Sequence, residues 1–245
     1  MAQQNWVRVA VRKTSKAGVS ASGDSVDVVE RARGGLSVIM ADGQGSGPAA
    51  KRISNWVVAR AAALIAEGAR DGAVARAVHD NLLALRGGKI VCTLAIMSVD
   101  LNTNSLVISR NGNSGALIFE RGGLPRCLDE EVPPIGVHQF TKPAILEKRL
   151  HPGDCAAIFT DGIYRIQDDG GSLELDMLKE QMIGAVQEHP PPSVETFADS
   201  VFTSALQADG GRPKDDMSLA AITVEARGKQ LGEAAVRSID LKFPY

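Results

Sequence analysis

Residues 36–68 read LSVIMADGQGSGPAAKRISNWVVARAAALIAEG, which is a short apolar run, a glycine-rich loop and a long mixed stretch. The run Leu36–Ala41 predicts a β-strand, because it is short, apolar and preceded by glycines. The stretch Ser46–Gly68 predicts a long helix, since Ser46 is a favoured N-cap residue and Gly68 stands where a helix would end. The sequence therefore predicts a strand that leads through a short loop directly into a helix.

The segments on either side of this unit predict further strands and helices. Further strands are predicted over Trp6–Arg12, Ser25–Glu30, Ile90–Val99, Ser105–Ser109, Ala116–Glu120, Ala144–Leu150, Cys155–Thr160 and Met217–Glu225. Further helices are predicted over Asp71–Arg86, which Asp71 would cap, Glu174–Gln187 and Val194–Ala208. This order of strands and paired helices is not the strict alternation of a parallel sheet. It favours antiparallel sheets with helices packed outside them.

The composition excludes several classes of protein. The chain has 245 residues, of which 44% are hydrophobic and 23% are charged, as in an ordinary globular domain. The net charge of −2 argues against a nucleic-acid partner, and no apolar run reaches the ~18–20 residues of a membrane span. The absence of such a run predicts no membrane partner. The three cysteines are far apart in the sequence, which favours reduced thiols and predicts a cytoplasmic protein.

Four aspartates stand near the ends of predicted strands and beside small residues. They are Asp24, Asp42, Asp161 and Asp215. If their side chains converge, their mutual repulsion requires protons or a divalent cation, and a site made of oxygen atoms favours Mg²⁺ or Mn²⁺. The alternative is that each motif is only turn chemistry, because aspartate followed by glycine is common in turns. The residues alone leave both interpretations open.

Seven segments, taken in this order, carry a resemblance to a known family. They are SGDSVDVVE (22–30), MADGQGSGPAA (40–50), CTLAIM (92–97), RNGNSGALIF (110–119), PPIG (133–136), LHPGDCAAIFTDGI (150–163) and KDDMSLAAITV (214–224). The chain resembles the metal-dependent protein phosphatases of the PPM (type 2C) family. It is most similar to the bacterial branch typified by the stage II sporulation phosphatase and the stress-response phosphatases.

The resemblance implies an α+β fold, a four-layer αββα sandwich of two antiparallel β-sheets flanked by helices. Residues 1–225 would form the phosphatase domain. Residues 226–245 would form a C-terminal tail that packs on the domain or on a second subunit.

The resemblance also implies roles for the acidic residues. Asp42 looks like the carboxylate that touches both of two metal ions, Mn²⁺ or Mg²⁺, with the Gly43 carbonyl on one of them. Asp161 and Asp215 look like ligands of the second ion. Asp24 matches the acidic residue that positions the attacking water. The implied reaction is direct attack of a metal-activated water on phosphoserine or phosphothreonine.

Two further expectations concern residues whose roles are ambiguous. In the pair Asp215-Asp216, the family pattern makes Asp215 the ligand, and Asp216 is expected to turn back to its own loop. Arg12 is a candidate for binding phosphate, with a solvated position on the first strand as the other explanation.

The resemblance also predicts the partner. A small phosphatase of this branch would act on a phosphorylated regulatory protein of the STAS type. The alternative is a catalytically silent module with the phosphatase fold that binds a phosphoprotein. Retention of four carboxylates favours the enzyme, because buried charges without a metal would destabilise the fold.

Overall fold

The computed structural model describes residues 5–120, 123–164, 167–168, 171–172 and 193–226. Most of the strands in these ranges form two antiparallel sheets of five strands each. Sheet I has the strand order β1-β12-β9-β6-β7, and sheet II has the order β2-β3-β4-β5-β8. Two short strands, β10 and β11, pair with each other outside both sheets.

The strands of sheet I are β1 (Asn5–Thr14), β6 (Gly115–Phe119), β7 (Arg126–Leu128), β9 (Cys155–Phe159) and β12 (Met217–Ala226). Those of sheet II are β2 (Asp24–Glu30), β3 (Leu36–Gly43), β4 (Cys92–Asp100), β5 (Ser105–Asn111) and β8 (Ala144–Arg149). The small hairpin is β10 (Gln167–Asp168) and β11 (Gly171–Ser172). The helices are α1 (Gly47–Ala66), α2 (Asp71–Arg86) and α3 (Val194–Ala208).

Three apolar layers hold the sheets and helices together. Phe159 and Phe197 lie in the layer between sheet I and α3. Ile158 lies in the layer between the two sheets, and Ile96 in the layer between sheet II and the pair α1 and α2. Strand β9 is apolar throughout because its alternate side chains enter different layers, so both of its faces are buried. The predicted four-layer αββα sandwich is confirmed.

The predicted elements agree with the structure apart from a few ends and caps. Helix α2 spans the predicted residues, but Arg70 occupies the N-cap position and Asp71 is the first helical residue. The prediction that Asp71 caps α2 is therefore wrong, because Asp71 forms an ion pair with Arg31 instead. Strands β7, β10 and β11 were not predicted, since two or three residues are too few to show an alternating pattern.

Two predictions fall on parts of the chain that the structure does not describe. The helix predicted over Glu174–Gln187 lies outside the described residues, and so does the tail beyond Ala226. None of the helices in the described ranges combines the length and apolar character that crossing a bilayer would require.

Candidate active site

Asp24 and Asp42 face each other on neighbouring strands at one end of sheet II. Asp24 is the first residue of β2 and pairs in register with Asp42, near the end of β3. Side chains directly opposite each other on antiparallel strands have Cβ atoms about 5 Å apart, and like charges in such a pair are destabilising. Pairing of these two carboxylates therefore weakens the sheet. Stability of the strand pair cannot explain why both residues are aspartates, which points to a role in binding.

Asp161 and Asp215 reach the same place from sheet I. Asp161 begins a 3₁₀ turn directly after β9, and Asp215 lies two residues before β12, the neighbour of β9 in the sheet. Burial raises the pKa of the Asp42 carboxyl to about 9. The negative charges of Asp24, Asp161 and Asp215 add to that rise. The structure thus brings the other three predicted aspartates within electrostatic reach of Asp42, and we call the four residues the acidic cluster.

Two glycines let the acidic cluster lie close to neighbouring backbone. A Cβ atom on Gly43 would lie 2.2 Å from the carbonyl oxygen of Ala50 in α1. A Cβ atom on Gly162 would lie 2.1 Å from the carbonyl oxygen of Asp216. Either contact is far inside van der Waals distance, so each position excludes every larger residue unless the backbone moves. The glycine after each aspartate therefore fixes how closely its strand end packs.

Asp24 is held by one of its two carboxylate oxygens. Its side chain is fully buried, and its Oδ2 accepts a 3.0 Å hydrogen bond from the Thr160 hydroxyl. That hydroxyl also accepts a 3.0 Å bond from the backbone N–H of Ser218. Burial raises the pKa of Asp24 to about 6, and the charge of Asp216 contributes to the rise. The other oxygen, Oδ1, is buried and has no hydrogen-bond partner among the described residues.

Asp215 and Asp216 point in different directions. Asp215 is exposed, whereas Asp216 is buried and accepts backbone N–H bonds from Lys16 at 2.8 Å and from Gly23 at 2.7 Å. Asp216 was expected to bond within its own loop, and that expectation is wrong because both N–H groups belong to the connection between β1 and β2. Asp216 therefore ties the loop that carries Asp215 to the residue that precedes Asp24.

Arg12 and two lysines show where sequence reasoning fell short. Arg12 donates to both carboxylate oxygens of Asp199 in α3, from Nε at 2.5 Å and from Nη2 at 3.0 Å, so it faces away from the acidic cluster. Lys13 and Lys51 instead both donate to the main-chain oxygen of Asp24, Lys51 at 2.7 Å. The pKa of Lys13 is lowered to about 8, chiefly by burial and in part by the neighbouring ammonium of Lys51.

The residues of the acidic cluster suit a hard divalent cation. Among the described residues, no three acidic, histidine or cysteine side chains already stand close enough together to hold an ion. The donors on offer are nevertheless carboxylate and carbonyl oxygens, which Mg²⁺ and Mn²⁺ prefer. The unpartnered Oδ1 of Asp24 and the repulsion that acts on Asp42 are both features that a cation would relieve.

Comparison with known structures places the fold in one class. A structure of the PP2C phosphatase domain of SpoIIE from Bacillus subtilis, with a fragment of its regulatory domain, superposes with a TM-score of 0.77 at 20% identity. The superposition covers 91% of this chain and 64% of the SpoIIE chain. The RsbU and RsbW domains of a Mycobacterium tuberculosis protein give a TM-score of 0.74 at 19% identity, covering 93% and 62%. The chain thus spans less than two thirds of both structures.

A third structure, RsbX in complex with magnesium, gives a TM-score of 0.66 at 16% identity and covers 89% of this chain and 96% of that one. The fold is therefore that of the PP2C-type serine phosphatases. The sequence matches the profile of the Stage II sporulation protein E (SpoIIE) family over residues 32–225, and the chain belongs to that family. A comparison with curated proteins gives no match.

Proposed function

We propose that this chain is a metal-dependent protein phosphatase that hydrolyses phosphoserine or phosphothreonine on a regulatory protein of the STAS type. The observation that carries the proposal is the acidic cluster, in which aspartates from both sheets act on the half-buried carboxyl of Asp42. A fold gains no stability from such repulsion, so the cluster is best explained by a ligand that carries positive charge.

We assign the binding of two divalent cations to Asp42, the Gly43 carbonyl, Asp161 and Asp215. When bound, the two ions lower the pKa of a water molecule and offset the charge of the phosphoryl oxygens. The protein then needs no nucleophilic side chain of its own.

Asp24 has a separate role in this proposal. Thr160 fixes one of its carboxylate oxygens, which leaves the other, Oδ1, to orient a water molecule and to accept its proton. The hydrogen bond from Ser218 N–H in turn fixes the Thr160 hydroxyl, so the orientation of Asp24 depends on the strand pair β9 and β12.

The regulatory protein as substrate is supported by family membership and by the likeness of the fold to RsbU and RsbX. Neither names the substrate, because folds are shared more widely than substrates. We therefore propose the class of substrate, a phosphorylated STAS-domain protein, and leave its selection to experiment.

The test follows phosphate release from a phosphorylated STAS-domain protein, with Mn²⁺ or Mg²⁺ and with EDTA. We expect release only with the metal, and we expect Asp24→Asn to reduce it strongly. Asp27→Asn is the matched control, since Asp27 lies on the same strand with its side chain exposed. Release that persists in EDTA would refute the metal-dependent reaction. Binding of the phosphoprotein without any release would support the silent module instead.

A further inference from the structure

The alternation of side chains along β1 sends one lysine toward the acidic cluster. Val11 packs in the layer between the sheets, whereas Arg12 points to the other face and pairs with Asp199 of α3. Lys13 therefore falls on the same face as Val11, but at the exposed rim of that layer, near the end of β1 where it pairs with Ser218. Its ammonium group reaches across to the main-chain oxygen of Asp24 on sheet II.

A second lysine reaches the same oxygen from a different element. Lys51 lies in α1, and its Nζ is 2.7 Å from the main-chain oxygen of Asp24 and 3.0 Å from the hydroxyl oxygen of Ser25. Two ammonium groups on one oxygen repel each other. Among the described residues, neither lysine forms an ion pair with a carboxylate. The carboxylates of Asp24 and Asp216 offset part of the charge on Lys13. If divalent cations neutralise the acidic cluster, the charge of the two lysines would be left for an anion.

The two lysines have donors to spare as well as charge. An ammonium group carries three N–H donors. Lys13 uses one of them on Asp24, and Lys51 uses two, on Asp24 and Ser25, so three N–H groups remain beyond these bonds. A phosphoryl group offers two negative charges and several acceptor oxygens, which matches two cations with several donors. A carboxylate would neutralise only one of the two charges.

We propose that Lys13 and Lys51 form an anion-binding site that takes the phosphoryl group of the substrate and then the inorganic phosphate released from it. The site deepens the proposed function and rests on it, since the lysines lie at the edge of the acidic cluster. The lysines would therefore supply positive charge and N–H donors to the same phosphoryl group whose charge the cations assigned to the cluster would offset. Lys13 and Lys51 are thus positioning residues for the substrate.

The competing explanation is that the lysines only satisfy a carbonyl oxygen on β2, an edge strand. The two explanations predict different effects of single substitutions on phosphate binding. If satisfying the oxygen were the only role, either lysine could be replaced without effect, since the other would still bind it. If both lysines bind phosphate, each single replacement weakens phosphate binding.

The experiment titrates inorganic phosphate into the Mg²⁺-loaded protein by calorimetry, comparing wild type with Lys13→Gln and Lys51→Gln. We expect each variant to raise the Kd for phosphate about ten-fold, the effect of losing one charged hydrogen bond. The KM for a phosphoserine peptide should rise with it, while kcat changes less. Lys13→Arg and Lys51→Arg should retain most of the affinity, because the charge is kept.

Arg52→Gln is the matched control, because Arg52 is exposed on the same helix and its loss changes the net charge equally. The proposal is overturned if both glutamine variants bind phosphate within about two-fold of wild type, or no more weakly than Arg52→Gln. Thermal unfolding checks that the variants are folded, and an unchanged midpoint is expected because one lysine remains on the oxygen. If phosphate binds through the lysines but the protein has no turnover, the anion site is supported and the phosphatase proposal is refuted. If the protein has turnover but phosphate binding does not depend on the lysines, the phosphatase proposal is supported and the anion site is refuted.

Discussion

Strand β2 has a polar cluster at each end, and the two clusters are built on opposite principles. Beyond its last residue, Arg31 donates at 2.8 Å to Asp71 and to the hydroxyls of Ser37 and Ser98, which also bond to each other. We call these four residues the arginine cluster. At its first residue, Asp24 meets Asp42 in a pair of like charges.

The difference separates what stabilises the fold from what serves a ligand. In the arginine cluster the buried carboxylate of Asp71 has a cation beside it, and the donors of Arg31 meet acceptors. In the acidic cluster the buried Oδ1 of Asp24 has no partner among the described residues. Buried polar groups are normally satisfied, so a buried carboxylate oxygen without a partner, next to further carboxyl groups, favours a site for a ligand.

The largest effect is expected from a substitution at the centre of the acidic cluster. Asp42→Asn should abolish metal-dependent phosphatase activity, because the ligand assigned to both ions is lost. It should not lower the unfolding midpoint in EDTA at neutral pH, because a pKa of about 9 keeps the metal-free Asp42 carboxyl protonated, and asparagine replaces one neutral group with another. Turnover and thermal unfolding measure the two outcomes. Retention of more than a few per cent of turnover at saturating Mn²⁺ would show that the assignment of Asp42 is wrong.

The second test separates the neighbouring acids at the start of β12. Asp215→Asn should reduce turnover by orders of magnitude and raise the Mn²⁺ requirement. Asp216→Asn should cost about ten-fold or less, because it disturbs only the backbone bonds to Lys16 and Gly23. Turnover measured across a Mn²⁺ titration compares the two variants. Equal losses, or a larger loss for Asp216→Asn, would place the ligand one residue further on.

A smaller effect is expected at the edge of the acidic cluster. Asp161→Asn should weaken activity at low Mn²⁺ and recover part of it at millimolar Mn²⁺, since mass action refills a weakened site. The KM for the phosphorylated substrate should change little. Activity that stays absent at every Mn²⁺ concentration, or a change confined to KM, would contradict the role assigned to Asp161.

The smallest effect on catalysis should come from the opposite end of β2. Arg31→Met leaves the buried Asp71 carboxylate without its partner and should lower the free energy of unfolding by about 3 kcal/mol. Turnover per folded molecule should stay at the wild-type value. Urea unfolding measures the loss, with Arg33→Met as control because Arg33 is exposed nearby. If Arg31→Met changed turnover without changing stability, the two ends of β2 would not be independent.

The sequence predicts best those helices and strands whose ends are marked by residues within the element itself. Helix α2 was predicted at both ends, because Asp71 marks its first turn and Gly87 adopts the left-handed conformation that ends it. The capping role of Asp71 was wrong for a tertiary reason, since Arg31 on a distant part of the chain binds that carboxylate.

The convergence of the four aspartates in the acidic cluster was predicted from the family resemblance and not from their spacing in the sequence. Asp24 and Asp215 are far apart in the sequence, and only the packing of sheet I on sheet II brings them together. Lys13 and Lys51 were missed for the same reason. A lysine on a strand and a lysine on a helix look solvated in the sequence, and their shared target is a backbone oxygen without a side-chain signal.

The pairing of β1 with β12 sets the order in which this protein can mature. Residues 5–14 pair with residues 217–226, and β12 is preceded by the loop that carries Asp215. During synthesis at ~5–20 residues per second, β1 waits roughly 10–40 s for this partner. Until then the first strand lacks its neighbour, Lys13 lacks the strand that holds it, and the acidic cluster lacks one member. A nascent chain on the ribosome therefore has an incomplete acidic cluster, and any activity that depends on the cluster begins only after β12 has been made.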